Sequence, residues 1–363
     1  MPQTLRLILA LSPDRKCWPA PVLALGLVLA SGCQRDAEAA KATDRAPASL
    51  AEAPKPVAHE PEWQQLTEQV VALHEQGKAT EALELAKQAA SAAERSGATT
   101  VEPQLNVGRL YFELGQWRDA EEAISQGVAL AEKHRELDPM GLSDALYAQG
   151  GILQKMGKYS EARLSTEGAL AIREQTLGKE HPAVAVCLTQ LATTHLELGD
   201  TEAAAKLARS ALAVFARAEN VLPDDHAEAH GILSMVLQAQ GKLREAEPAA
   251  RRALALQEQI NDANHPEVAR RLKNLAGILK NRGDARGSES LFERVLAIWE
   301  QQLGPEHPMV AMAAHNLAGA YADRGEVVEA EVLYQTRGGH LPQDVRTRSP
   351  RYTAERTVSC RME

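Results

Sequence analysis

Small, large and turn-forming residues recur along this chain at a fixed interval of 42 residues. The glycines that share this spacing are Gly115, Gly157, Gly199, Gly241, Gly283 and Gly325. The fifth residue after each glycine is small, in the order Ala120, Ala162, Ala204, Ala246, Ser288 and Ala330. Such self-similarity is typical of a protein built from repeated structural units.

Each copy of the pattern predicts two helices that meet at a tight turn. The clearest copy is Gly108, Tyr111, Gly115, Trp117 and Ala120. The central glycine suits the positive φ that ends a helix, the small residues allow the two helices to approach closely, and the large ones fill the gap beside them.

A further copy centred on Gly77 and Ala82 brings the number of predicted units to seven, over residues 62–336. A single helix pair of this length cannot bury its apolar face. Stacking the pairs creates one continuous core, so the expected fold is an all-α solenoid.

These residues resemble the tetratricopeptide repeat, in the 42-residue form found in kinesin light chains. Three copies depart from the family pattern. Gln149 occupies the position of a large residue, His195 that of an aromatic residue, and Ser288 that of the alanine at the helix contact. The resemblance implies a right-handed superhelical solenoid whose first helices line a concave groove that receives peptides or partner helices.

The resemblance also identifies candidate groove residues. They are Asn106, Arg109, Phe112, Tyr147, Arg270, Lys273, Asn274, Lys280, Asn281, His315 and Asn316. The three asparagines share one repeat position, where the family uses the amide to hold a peptide backbone. Gly151, Gly277 and Gly319 are expected to widen the groove floor. The basic residues predict an acidic partner segment, although they also fit solvent-facing helix positions.

Three His-Pro pairs begin at His181, His265 and His307. They fall between units, where proline suits a first helical turn, and Pro139 and Pro223 fill the vacant slots in the same register. Each histidine belongs to a different unit, so we interpret them as features of helix entry and not as one metal site.

His226 and His230 lie four residues apart on a predicted helix and could share a divalent metal. No third ligand is evident, and Asp224 or Asp225 would serve as a helix cap. Cys187 is predicted to be a small buried residue. No catalytic or phosphate-binding motif is present, so we predict no enzymatic activity and no cofactor.

The formal net charge of -9 disfavours nucleic-acid binding, which needs clustered Lys and Arg. Residues 1–32 are typical of an export signal, with basic residues before an uncharged run that is too short to span a bilayer.

The stretch Ala30-Ser31-Gly32-Cys33 resembles the lipobox of bacterial lipoproteins, which predicts lipidation at Cys33; an ordinary secretory signal is the alternative. Residues 33–61 are rich in Ala, Pro and charge and would form a flexible tether. Gln34 favours the outer membrane of a bacterial envelope.

Residues 337–363 break the pattern, with six arginines, two prolines and no apolar period. Either a disordered basic tail or a frameshift near Gln335 would explain the change. The second helix of the last unit is expected to continue past Tyr334.

The sequence thus predicts a membrane-anchored scaffold that binds a protein or peptide in its groove. One alternative is a structural subunit of a cell-envelope assembly, which large apolar patches on the outer face would favour. The other is a metal-dependent enzyme built on His226 and His230.

Overall fold

The computed structural model describes residues 61–218 and 221–336 of the 363-residue chain, and these form fourteen α-helices in seven antiparallel pairs. The helices are α1 (Glu62–Glu75), α2 (Ala79–Ser96), α3 (Glu102–Glu113), α4 (Trp117–Lys133), α5 (Pro139–Lys155), α6 (Tyr159–Leu177), α7 (Pro182–Glu197), α8 (Thr201–Arg217), α9 (Pro223–Ala239), α10 (Leu243–Ile260), α11 (Pro266–Asn281), α12 (Ala285–Leu303), α13 (Pro308–Arg324) and α14 (Val327–Thr336). The predicted all-α solenoid of seven units is confirmed.

The predicted signal segment, Cys33, the tether and the arginine-rich tail lie outside the described residues. Helix α14 is described as far as Thr336, just past Tyr334. Across the described residues, no helix has both the length and the apolar character that crossing a bilayer requires.

Each unit turns at its repeated glycine. In unit 2, Gly115 has a φ of 75° and the N–H of Gln116 donates back to the carbonyl of Tyr111 at 2.9 Å. This hydrogen bond closes the end of α3, and the left-handed conformation carries little penalty only for glycine.

Small residues allow the two helices of a unit to pack closely. A Cβ added to Gly108 would lie 2.5 Å from Cγ1 of Ile124, and Ala120 is completely buried. In unit 3 the same close approach occurs between Gly150 and Thr166. The small residues of the repeat are therefore required by interhelical distance.

Proline begins five of the seven first helices, α5, α7, α9, α11 and α13. In α7, α11 and α13 the preceding histidine caps the helix: Nδ1 of His181 accepts from the N–H of Ala183 at 3.1 Å, and His265 and His307 do the same. The predicted role in helix entry is confirmed, and the structure adds its mechanism.

The prediction of an aspartate cap on α9 was wrong. The residue before Pro223 is Leu222, which makes no side-chain cap. Asp224 lies inside the first turn and accepts from Nε2 of Gln257 at 3.1 Å. The proline occupies the first helical position, so both aspartates fall too late in the chain to cap the helix.

The packing between units identifies the inner face of the solenoid. First helices contact the first helices of neighbouring units directly, in the pairs α3 with α5, α5 with α7, α7 with α9, and α9 with α11. Among the described helices, no pair of neighbouring second helices packs comparably. The first helices therefore line the concave face, and the second helices spread over the convex one.

Candidate binding groove

Side chains near the ends of the first helices reach across the concave face to the next unit. Nε2 of His74 lies 2.8 Å from a carboxylate oxygen of Glu113, and Nε2 of Gln154 donates to Oγ1 of Thr194 at 3.3 Å. In the last two units, Nζ of Lys280 lies 3.6 Å from a carboxylate oxygen of Asp323. We call the surface that these residues share the groove.

Two of the groove glycines are covered by such reaching side chains. A Cβ on Gly319 would lie 2.5 Å from Nζ of Lys280, and one on Gly277 would lie 3.6 Å from Nε2 of Gln238. The expectation that Gly319 widens the groove floor was therefore wrong, because the space it leaves holds the ammonium group of Lys280, whereas at Gly277 a Cβ would meet Gln238 at an ordinary contact distance.

The candidate residues of unit 2 are buried. Asn106 and Arg109 are each 5% exposed, and Phe112 is 2% exposed. Phe112 packs edge-on against Trp117, with ring centroids 4.9 Å apart, inside a core cluster. The structure thus places Phe112 in the core and not on the groove surface, because its ring packs against Trp117 and the core cluster.

Arg109 lies 3.5 Å from Glu113, the carboxylate that also contacts His74. The amide nitrogen of Asn106 has no hydrogen-bond partner in the described structure.

Tyr147 lies over the guanidinium of Arg173, which is 4.9 Å from the ring centroid, and packs against the core between units 4 and 5. Burial raises the pKa of the Tyr147 hydroxyl above its ordinary value. The ring therefore supports the groove wall across more than one unit.

Arg173 is 4% exposed and was not singled out from the sequence. Its guanidinium donates to Asp144 at 2.8 Å, to the carbonyl of Ala183 at 3.0 Å and to Sγ of Cys187 at 3.3 Å. Cys187 is fully buried, as predicted, and burial raises its thiol pKa to about 11. The only sequence signal was a charged residue at a repeat position where units 4 and 6 carry Phe215 and Trp299.

The predicted basic cluster of unit 6 is partly neutralised within the chain. Arg270 donates to Glu228 at 2.6 Å and to Glu267 at 2.8 Å, and Arg271 donates to Glu228 at 2.7 Å. Burial opposes ionisation of Glu228, but the two guanidinium groups outweigh it and hold its pKa well below its usual range. Arg270 therefore serves an ion network between units 5 and 6.

The remaining candidates share one stretch of the groove on α11 and α13. Lys273, Asn274, Lys280 and Asn316 are half-buried, whereas Asn281 and His315 are exposed. The structure brings these six side chains onto adjacent helices, and their role in binding stays a prediction.

The tetratricopeptide repeat family model matches residues 142–217, 225–286 and 272–336, together more than half of the chain. The chain belongs to the tetratricopeptide repeat family. This confirms the resemblance inferred from the repeat pattern, and the architecture is that of a protein-interaction scaffold. No curated protein matches the sequence.

Several solved structures resemble this tetratricopeptide repeat protein. A Podosopora anserina protein assigned as a kinesin light chain, with nearly identical TPR-like repeats, has 24% identity and a TM-score of 0.47, and the match covers 56% of this chain and 93% of that one. BtubC (BKLC) from P. vanneervenii has 23% identity and a TM-score of 0.53, covering 64% and 91%. The apo form of RapI has 12% identity and a TM-score of 0.58, covering 81% and 99%. At these identities the likeness shows the fold.

The histidine pair of this tetratricopeptide repeat protein is packed against apolar neighbours. The rings of His226 and His230 stack with centroids 5.4 Å apart, and Phe215 lies 5.6 Å from His226. Burial, His226 and Arg252 lower the pKa of His230 to about 4. In the described part of the chain, no group of three or more metal-ligating side chains is arranged around an ion, so the pair has no third ligand there.

The convex face carries exposed large apolar residues at separate places. Leu164 is 62% exposed on α6, and Leu137 is 77% exposed between units 2 and 3. Val328 and Val332, both exposed, share one face of α14. These exposed residues lie on different elements of the described part of the chain.

Proposed function

We propose that this tetratricopeptide repeat protein binds an extended segment of a partner protein in its groove. The observation that carries this proposal is the strip of polar side chains on α11 and α13, where Asn274 and Asn316 occupy the same repeat position on neighbouring first helices. An asparagine amide can donate to a carbonyl and accept from an N–H, which suits the backbone of an extended chain.

The chemistry of the strip favours an acidic segment. Lys273 and Lys280 lie on α11 beside the two asparagines. The ammonium group of Lys280 occupies the space beside Gly319 and lies 3.6 Å from a carboxylate oxygen of Asp323, so its position is restricted. An ammonium group restricted in this way loses less conformational freedom when it binds a carboxylate.

The fold is compatible with a peptide ligand. A Rap protein solved in complex with Competence and Sporulation Factor has 16% identity and a TM-score of 0.54, covering 76% of this chain and 75% of that one. That likeness is one of fold, so the groove chemistry of this chain carries the proposal.

The test combines partner capture with a groove variant. Proteins that co-purify from detergent-solubilised cell envelopes would be identified, and their segments measured for affinity. Lys273→Glu combined with Asn274→Ala should weaken binding at least 10-fold, because it removes a cation and a backbone clamp. Lys206→Glu, exposed on α8, is the matched charge control. Unchanged affinity in the groove variant would reject the assignment.

We propose further that the solenoid is anchored to a bacterial membrane through a lipid on Cys33, with the outer membrane favoured. The support is the run of small residues before this cysteine and the absence of aspartate after it. Anchoring would raise the local concentration of a partner at the same membrane. Cys33→Ser should abolish incorporation of a labelled fatty acid and release the protein from the membrane fraction. Labelling that persists in the variant would contradict this proposal.

A further inference from the structure

The two ends of the groove carry opposite charge. On α1 and α3, the groove positions hold the carboxylates of Glu68, Glu75, Glu102 and Glu113 against one guanidinium, that of Arg109. This amino-terminal end of the groove is acidic, and we call it the acidic end.

At the other end, the groove positions of α11 and α13 hold three cations against one carboxylate. The cations are Arg270, Lys273 and Lys280, and the carboxylate is Asp323. Arg270 is neutralised by Glu228 and Glu267, whereas Lys280 meets Asp323 only at 3.6 Å. We call this the basic end.

The units between the two ends present few unpaired charges. Groove positions on α7 and α9 include Thr189, Gln190, Thr193, Met235 and Gln238. On α5, Asp144 is paired with Arg173, and Lys155 is exposed. Glu197 on α7 is exposed, and Glu228 on α9 is paired with Arg270 and Arg271. The largest excess of carboxylates at groove positions therefore lies on α1 and α3, and the excess of cations lies on α11.

Three of the four carboxylates of the acidic end lack a cation of their own, and the fourth, Glu113, lies beside Arg109 and His74. Glu68, Glu75 and Glu102 form no ion pair within the ranges that the structure describes. Burial raises the pKa of Glu102, which shows that its charged form is poorly compensated.

A second polar group at the acidic end also lacks a partner. Asn106 follows Glu102 by one helical turn, so the two side chains lie on the same face of α3. The residue is 5% exposed and its amide nitrogen has no acceptor among the described residues. A buried donor without an acceptor is costly, and a carbonyl of a bound chain would supply one.

We propose that the groove binds an extended protein segment whose basic residues lie against the acidic end and whose acidic residues lie against the basic end. This inference rests on the proposed function and adds a second subsite to it. Neighbouring packed helices are about 10 Å apart. The centre of the acidic end (α1 and α3) and the centre of the basic end (α11 and α13) are five such spacings apart, which is roughly 50 Å. An extended chain rises about 3.3 Å per residue, so the segment has about 15 residues with its charges segregated.

A displayed library of random 20-residue peptides tests this directly on the full chain. We expect the selected peptides to carry a basic block and an acidic block separated by about ten residues. A consensus peptide should bind at least 10-fold tighter than a peptide of the same composition with alternating charges, and this preference should weaken with added salt.

A double variant of the acidic end and a matched control test the basic block of the peptide. Glu68→Gln with Glu102→Gln should select peptides that keep the acidic block and lose the basic one. Glu94→Gln with Glu132→Gln makes the same charge change at exposed positions on α2 and α4, and should select the same peptides as the unaltered chain.

The possible failures are distinguishable. Peptides that lose affinity with Asn274→Ala and Asn316→Ala but show no charge segregation would overturn this inference and leave the proposed function standing. Peptides whose binding is indifferent to both asparagine variants would overturn the proposed function and this inference together.

Discussion

The histidines of the His-Pro pairs act as helix caps through a single ring nitrogen. A neutral imidazole offers Nδ1 as an acceptor, and at His181, His265 and His307 this atom meets the N–H two residues later. Burial and the charge of Arg173 lower the pKa of His181, which favours the neutral form that accepts. Histidine here does what serine or aspartate does at other helices.

Removing one cap should cost a measurable amount of stability. We expect His181→Ala to lower the free energy of unfolding by about 1 kcal/mol, and His181→Asn to retain most of it because the amide oxygen can accept the same N–H. Urea unfolding at pH 7.5 would measure both. Equal losses in the two variants would show that the ring contributes by packing and not by capping.

The lowered pKa of His230 predicts that the free energy of unfolding decreases in mild acid. Its folded-state pKa of about 4 lies below the ordinary value of about 6.5, so between these values the unfolded chain binds a proton that the folded chain does not. Stability should therefore fall as pH drops from about 6.5 to about 4, and this group has no effect above that window. The groups facing it are His226 and Arg252.

His230→Gln should reduce the difference in urea midpoint between pH 7 and pH 5. His134→Gln, at the end of α4, controls for the loss of any one histidine. The same acid sensitivity in His230→Gln as in the unaltered chain would contradict the assignment.

At the scale of elements, the five junctions from unit 2 to unit 7 each hold one interior position that is filled from either side. The facing pairs, in chain order, are Ala131 with Ala145, Arg173 with Cys187, Phe215 with Ala229, Gln257 with Arg271, and Trp299 with Ala313. A large residue on one helix faces a small one on the next in most of these pairs. At this position, units 3 and 4, and units 5 and 6, are joined by polar groups, and the other three pairs are apolar.

Two helical glycines should respond oppositely to the same substitution. A Cβ on Gly231 would lie 2.3 Å from Nη1 of Arg271. The guanidinium cannot move freely, because its Nη2 donates to Glu228 and its Nε donates to Gln257. We expect Gly231→Ala to destabilise the fold by about 1–3 kcal/mol. Gly277→Ala, with 3.6 Å to Gln238, should gain about 0.5–1 kcal/mol from helix propensity.

Thermal and urea unfolding of the two alanine variants provide the comparison, each serving as the control for the other. Stabilisation in both would show that Arg271 relocates without cost, and that the polar junction between units 5 and 6 is looser than its hydrogen bonds indicate.

At the scale of the whole molecule, contacts connect neighbouring units and do not extend along the solenoid. The helix contacts join elements of the same unit or of adjacent units. Stability is then close to a sum of unit and junction contributions, and a local defect should stay local.

Trp299→Ala tests this locality. The side chain is 1% exposed at the junction of units 6 and 7, and its removal should cost about 3–5 kcal/mol. Hydrogen exchange measured by mass spectrometry should rise in α11 to α14 and stay unchanged in α1 to α5. An equal rise throughout the chain would mean that the solenoid unfolds as one unit.

The sequence by itself determined the repeat, its seven copies and the all-α fold. The glycine at the turn and the alanine at the helix contact act within one unit, and the same pair recurs in each copy. Gly115 and Ala120 could be interpreted from their own neighbours in the chain. The same locality identified proline at helix starts.

Only the tertiary structure decided which groove residues face a ligand. Phe112 and Arg270 occupy groove positions by register, yet one packs in the core and the other pairs with Glu228 from the preceding unit. Likewise, the space beside Gly319 is occupied by the ammonium group of Lys280 from a neighbouring helix. These outcomes depend on side chains about one repeat apart meeting across a junction, and local sequence patterns carry no information about such encounters.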